Sequence, residues 1–128
     1  MISRQYPQPM PVAFVCGPYR SPDGFAGIAV NIETAREIAK ALWQQGYTAL
    51  CPHLNTAHFD GIAPDHVFLD GALELMRRSD LVVLAPRWHE SSGSMAEIRE
   101  AVRMRKPIYE WPRMQEILSN EHFNIELP

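Results

Sequence analysis

Short apolar runs alternate with longer segments of helical periodicity along this chain of 128 residues. Four apolar runs of about strand length predict β-strands, over Val12–Cys16, Tyr47–Cys51, Leu81–Ala85 and Pro107–Trp111. Three intervening segments repeat apolar side chains every three or four positions and predict helices, over Asn31–Gln45, Pro64–Ser79 and Ser94–Arg105. The first and third runs are apolar throughout, as in strands covered on both faces. The pattern therefore predicts an α/β fold, a doubly wound parallel sheet with helices on both faces.

The length of the chain accommodates one such domain and no second one. Residues 1–11 carry prolines and no periodicity, which predicts a flexible N-terminal tail. We expect the domain to span residues 12–118, with a short last helix around 113–118. A C-terminal tail would follow over residues 119–128.

Composition and charge exclude several classes of function. The net charge of −3 argues against a general nucleic-acid-binding protein, which normally carries a basic excess. No apolar run approaches the roughly 18 residues of a membrane span, so no membrane association is expected. Two cysteines, Cys16 and Cys51, form no disulfide framework, which favours a cytoplasmic location.

Familiar cofactor and metal motifs are missing from the sequence. The glycines do not form a dinucleotide fingerprint, and there is no phosphate-binding Gly-Lys-Ser/Thr loop. His53, His58 and Asp60 match no zinc spacing. We therefore expect no cofactor and no metal.

Ligands of an open parallel sheet bind beyond the carboxyl ends of its strands. Three polar loops lie there, over residues 17–29, 52–62 and 86–93. The third loop leads through Ser91, Gly93 and Ser94 into a helix, and such a helix start suits a phosphate. An alternative is that Ser94-x-x-Glu97 is an ordinary capping box.

Two carboxylates are candidates for chemistry. Glu97 has no cation three or four residues later on its helix, and in a first turn the helix dipole would favour its ionised form. Such a carboxylate at a pocket edge is a plausible nucleophile. Asp70 lies between His66 and Glu74 on its helix, and its alternative role is a solvated face with paired charges.

The chain also resembles a known family through residues at four places: Cys16-Gly17-x-Tyr19-Arg20, Asp70, Asp80–Leu84 and Ser91-x-Gly93-x-x-x-Glu97. In this order they resemble the nucleoside 2-deoxyribosyltransferase superfamily, most closely its 2′-deoxynucleoside 5′-phosphate N-hydrolase branch. The resemblance covers about residues 12–111 and implies a flavodoxin-like, Rossmann-type three-layer sandwich. It further implies hydrolysis of the base–sugar bond of a (deoxy)nucleoside 5′-monophosphate.

The resemblance assigns roles to individual residues. Glu97 would be the nucleophile, Asp70 the second acid, and Tyr19 a phenol that replaces the strand tyrosine of the hydrolases, where this chain has Phe14. Ser91 stands where the nucleoside transferases carry an aspartate, which favours a phosphorylated substrate. The remaining substrate-binding candidates are Phe14, Gly17, Pro18, Arg20, His53, Gly93 and Ser94.

Two alternative functions share these residues. A transferase would exchange bases through the same covalent intermediate, and a nucleotide sensor would bind without turnover. Family members complete the pocket from a partner subunit, and this chain carries aromatic residues in excess of what a small core needs: Trp43, Phe68, Trp88 and Trp111. We therefore expect a homodimer, with the helix over Pro64–Ser79 at its interface.

Overall fold

The computed structural model describes residues 8–111, 113 and 114. Its strands are β1 (Val12–Cys16), β2 (Thr48–Leu50), β3 (Leu81–Leu84) and β4 (Ile108–Glu110). Its helices are α1 (Gly24–Gln44), α2 (Pro52–Asn55), α3 (Asp65–Arg77) and α4 (Ser92–Arg103). A 3₁₀ turn over Trp88–Glu90 precedes α4.

All the strands of this sheet are parallel, in the order β2-β1-β3-β4. Because β1 and β3 are central, both are buried along most of their length, as their apolar sequences predicted. The parallel α/β fold is thus confirmed. The carboxyl ends of the strands meet at one edge, where the following loops converge.

Alternate residues of β1 serve the two faces of the sheet. Ala13 and Val15 pack with Ile38 and Leu42 of α1 on one face. On the other face, Phe14 and Cys16 pack with Met76 of α3 and Ala101 of α4. Helices therefore cover both faces, and the site described below lies at the edge of the second layer.

Helix α1 begins seven residues earlier than predicted, inside the segment interpreted as a polar loop. Ile28 is buried and extends the apolar stripe of α1 towards the N-terminus. The sequence misled because Gly24 and Gly27 suggested a loop. A Cβ atom on Gly27 would lie 1.9 Å from Ser21 Oγ, so this glycine permits close packing within a helix.

Helix α4 begins two residues earlier than predicted, and its cap differs from the capping box considered above. Ser91 is the N-cap, and its Oγ accepts a hydrogen bond from the Ser94 amide at 3.1 Å. Ser94 is consequently the third residue of the helix, and Glu97 lies in its second turn. The capping-box interpretation of Ser94 and Glu97 is therefore wrong.

Several predicted features extend beyond the described residues. Residues 1–7 of the predicted N-terminal tail, residues 115–118 of the last helix and the tail over 119–128 lie outside them. Arg113 and Met114 are helical, as predicted for the start of that helix, whereas Trp111, predicted as the end of the last strand, is also helical. None of the helices in the described ranges combines the length and apolar character needed to cross a lipid bilayer.

Candidate active site

A cavity of about 420 Å³ opens at the carboxyl edge of the sheet. Its walls come from the loop after β1, the segment between β2 and α3, and the start of α4. The acidic side chains that line it are Asp60, Asp65, Glu90 and Glu97. Arg20 is the one lysine or arginine among its described lining residues, so the cavity has an excess of negative charge.

Glu97 is the most deeply placed of these acids, with 9% of the residue exposed. Cys16 Sγ, at the end of β1, donates a hydrogen bond to Glu97 Oε1 at 3.2 Å. Burial raises the pKa of Glu97 to about 7, although the bond from Cys16 opposes the rise. From its sequence position Glu97 was predicted to be ionised by the helix dipole, but its burial outweighs that effect.

The mouth of the cavity is formed by Tyr19 and Arg20 together with two aspartates. Arg20 pairs with Asp65 at 2.8 Å and with Asp60 at 3.4 Å. Tyr19 Oη donates to Asp60 Oδ1 at 3.0 Å and accepts from the His58 amide at 3.3 Å. Burial, the larger cause, and the bond to Asp60 raise the pKa of Tyr19, so its phenol stays protonated at neutral pH.

His53 fixes one wall of the cavity. Its Nε2 lies 2.7 Å from the carbonyl oxygen of Pro18, and because a carbonyl only accepts, Nε2 donates. The ring also packs edge-on against Tyr19 with 5.4 Å between centroids. Burial lowers the pKa of His53, which keeps the ring neutral. The sequence-predicted Pro18 thus acts through its backbone.

The start of α4 contributes Ser91, Gly93 and Ser94 to the cavity lining, as their position in the sequence suggested. Ser94 is 2% exposed, and its Oγ has no hydrogen-bond partner among the described residues. A Cβ atom on Gly93 would lie 3.3 Å from Leu69, so glycine keeps this side of the cavity open. A buried, unpartnered hydroxyl beside helix amides is suited to a polar ligand.

Two further residues hold the loops in place. Gly17 passes close to β3, where a Cβ atom would lie 2.6 Å from Ala85 Cβ. Asn31, buried in α1, donates from Nδ2 to the Tyr19 carbonyl at 3.0 Å. The loop after β1 is therefore anchored on both sides of Pro18.

Two expectations from sequence require correction. Phe14 is fully buried in the core beneath α3 and α4 and does not line the cavity. Asp70 is exposed on α3 and also does not line it. On α3 the inward face carries Asp65, Phe68, Leu69 and Ala72, and Asp70 is rotated away by about 100° from Leu69.

Sequence analysis missed Cys16, Asn31, Asp60 and Asp65 as functional candidates. In the sequence, Asp60 was considered only as a metal ligand, and Cys16 only as part of the motif that carries the family resemblance. The signal for Asp65 is its position at the first turn of α3, directly after a loop at the carboxyl edge. In the part of the chain that the structure describes, no group of three or more His, Cys, Asp and Glu is arranged to hold a metal ion.

Comparisons with known proteins agree with this architecture. A family model described as "Domain of unknown function (DUF7768)" matches residues 11–111. No curated protein matches the chain. Among solved structures, a 2-deoxyribosyltransferase from Bacillus psychrosaccharolyticus superposes with a TM-score of 0.55 at 13% identity, over 77% of this chain and 70% of that one. This likeness establishes a shared fold, the deoxyribosyltransferase-like α/β sandwich.

Proposed function

The chain belongs to the DUF7768 family, whose description names no activity, and we propose that it cleaves N-glycosidic bonds of nucleotides with Glu97 as nucleophile. The observation that carries the proposal is the position of Glu97, buried at the cavity wall with one oxygen held by Cys16. A pKa of about 7 leaves a substantial ionised fraction at neutral pH. The carboxylate there is poorly solvated and therefore reactive.

In the proposed reaction, Glu97 attacks the anomeric carbon of the sugar, and a glycosyl ester forms as the carbon–nitrogen bond breaks. The base leaves with the bonding electron pair and takes a proton from Tyr19, whose phenol is re-protonated by solvent. Water then attacks the anomeric carbon and releases one proton to the solvent, the ester bond breaks, and Glu97 leaves as the carboxylate. The products are a free base and a sugar phosphate.

The start of α4 supports a phosphorylated substrate. The amides of Ser92 and Gly93 begin the helix beside the Ser94 hydroxyl, and a helix N-terminus attracts anions. Arg20 supplies a positive charge at the mouth, although Asp60 and Asp65 already neutralise it. A 5′-phosphate is therefore expected to compete with these aspartates for the guanidinium group.

Incubation with a panel of nucleosides and nucleoside 5′-monophosphates, followed by chromatography for free base, tests the proposal. We expect base release by the wild type and none by Glu97→Gln. The matched control is Glu100→Gln on the same helix, where Glu100 pairs with Arg77 and Arg103 away from the cavity. An active Glu97→Gln variant would refute the assignment of the nucleophile. Binding without base release by the wild type would identify a sensor.

Base transfer is the second candidate, favoured by the likeness to a 2-deoxyribosyltransferase. The same glycosyl ester would then be attacked by a second base instead of water. Addition of a free base distinguishes the two reactions, because only a transferase forms a new nucleoside.

A further inference from the structure

The thiol of Cys16 lies against the proposed nucleophile. Cys16 is fully buried at the last position of β1, and its Sγ is 3.2 Å from Glu97 Oε1. A more distant acceptor is the Ser94 carbonyl at 3.7 Å. This hydrogen bond from Cys16 is the one that the Glu97 side chain receives from a described residue.

We infer that Cys16 is a positioning residue, whose S–H group holds Glu97 Oε1 and thereby directs Oε2 towards the substrate. This inference rests on the proposed role of Glu97 as the nucleophile. Oε2 remains accessible, since the fully buried side-chain oxygens without a partner in the described residues are Gln45 Oε1 and Ser94 Oγ. The carboxylate thus has one oxygen held by the protein and one free to react.

A thiol suits this position because it does not ionise there. Burial, and to a lesser extent the charge of Glu97, raises the pKa of Cys16 far above its usual range. Cys16 therefore remains protonated, and thus a donor, at neutral pH. A sulfhydryl donates weakly, so it orients the carboxylate without greatly reducing its reactivity.

Other titratable groups near Glu97 do not perform this role. Cys51, beyond β2, interacts with Glu97 only through charge. His53 donates to Pro18, and Glu90 ends the 3₁₀ turn that precedes α4. The cluster of Arg20, Asp60 and Asp65 is paired within itself at the mouth. The face of α3 towards the cavity adds apolar Phe68, Leu69 and Ala72.

The test compares the pKa of Glu97 among variants, measured by NMR titration of ¹³C-carboxyl-labelled glutamate and assigned with Glu97→Gln. Cys16→Ala removes the donor, and we expect the pKa of Glu97 to rise by ~0.5 to 1 unit. Cys16→Ser keeps a donor and should leave the pKa at or below the wild-type value. Cys51→Ala is the matched control, because it truncates a buried thiol that gives Glu97 no hydrogen bond, and it should cause no shift.

Enzyme kinetics provide the second readout. The acidic limb of the kcat/KM profile should move upward with the pKa in Cys16→Ala, so the loss of activity is larger at pH 6 than at pH 9. If Cys16→Ala does not fold, Cys16→Val removes the donor without opening a cavity and replaces it in both measurements. An unshifted pKa in the donorless variant, or an equal shift in Cys51→Ala, overturns the inference. A shifted pKa in a protein that releases no base supports the contact and refutes the proposed function instead.

Discussion

The side-chain oxygen of Asn31 accepts a hydrogen bond from Arg87 at 2.9 Å. Because the same amide donates to the Tyr19 carbonyl, one buried side chain of α1 joins the loop after β1 to the loop after β3. Arg87 adopts a left-handed backbone conformation with φ of 62°, which this bond helps to maintain. Both loops contribute residues to the cavity wall.

We expect Asn31→Ala to lower the free energy of unfolding by about 1 to 3 kcal/mol, because the partners of a buried amide would lose their hydrogen bonds. Urea denaturation measures this loss. Asn31→Asp keeps the acceptor for Arg87 but not the donor to Tyr19. Its free energy of unfolding should lie between those of the wild type and Asn31→Ala. Thr34→Ala, which removes a hydroxyl that bonds only within α1, is the control. A loss no greater than that of Thr34→Ala would contradict a linking role.

Glu97→Gln should be more stable than the wild type at alkaline pH. The folded-state pKa of about 7 exceeds the unfolded value of 4.5, so the native state binds the proton more tightly. Its stabilising contribution is therefore complete below pH 4.5 and is lost as the pH rises through 7. Above pH 8 the amide avoids the cost of a buried charge, and we expect a gain of about 1 to 3 kcal/mol in the free energy of unfolding.

Glu100→Gln serves as the control, because the pKa of Glu100 is shifted in the opposite direction to that of Glu97. Hydrogen bonds from Arg103 and Arg77 lower the pKa of Glu100 to about 2. Its contribution is therefore present at neutral pH and is lost as the pH falls towards 2. Denaturation should be measured at pH 5 and pH 9. Relative to wild type, the free energy of unfolding of Glu97→Gln should increase between these pH values, whereas that of Glu100→Gln should stay lower by a constant amount. If the free energies of unfolding of Glu97→Gln and wild type change with pH in parallel, the pKa of Glu97 is not raised.

The strands and the fold could be predicted because apolar runs of strand length mark the strands. These runs are largely buried in β1 and β3 and only half-buried or exposed in β2 and β4. The positions of Tyr19, Arg20 and Ser91 also followed, since parallel strands bring their subsequent loops together. The prediction that Asp70 lies in the site failed because periodicity shows that α3 has an inward face but does not show which polar residue borders that face. The prediction that Phe14 binds substrate failed because both faces of β1 are buried. The sequence alone does not distinguish a side chain in the core from one in the cavity wall.

Recognition of the phosphate can be tested at the mouth of the cavity. Asp65→Asn removes a negative charge and the shorter of the two ion pairs of Arg20, so the KM for a nucleotide should fall. Arg20→Ala should raise that KM by roughly 10- to 100-fold while leaving the KM for the matching nucleoside nearly unchanged. Arg36→Ala, an exposed arginine paired with Glu33 on α1, is the control. Equal effects of Arg20→Ala on both substrates would show that Arg20 does not bind the phosphate.

Exposed apolar side chains indicate where the interface of the proposed homodimer would lie. Of the aromatic residues counted as excess, Trp111 is buried and Trp88 packs against the core, whereas Trp43 is 51% exposed. On α3, Val67 is 47% exposed, and Leu69, which also lines the cavity, is 51% exposed. Light scattering should therefore give a mass near twice 14.6 kDa.

Val67→Lys should shift the protein towards the monomer, because a charge would be buried at the interface. Val102→Lys, at an exposed position of α4, should leave the mass unchanged. A wild-type monomer that still releases base would contradict the expectation that a partner subunit completes the cavity.

Because carboxylates outnumber cations around the cavity, the charge of Glu97 affects substrate affinity and reactivity in opposite directions. An anionic substrate approaches more readily when Glu97 is protonated, because the wall then carries one negative charge fewer. Attack on the sugar requires the same group to be ionised. Binding and chemistry thus have opposite proton requirements at one side chain. As the pH rises through the pKa of about 7, affinity for the nucleotide should fall while the rate of attack rises.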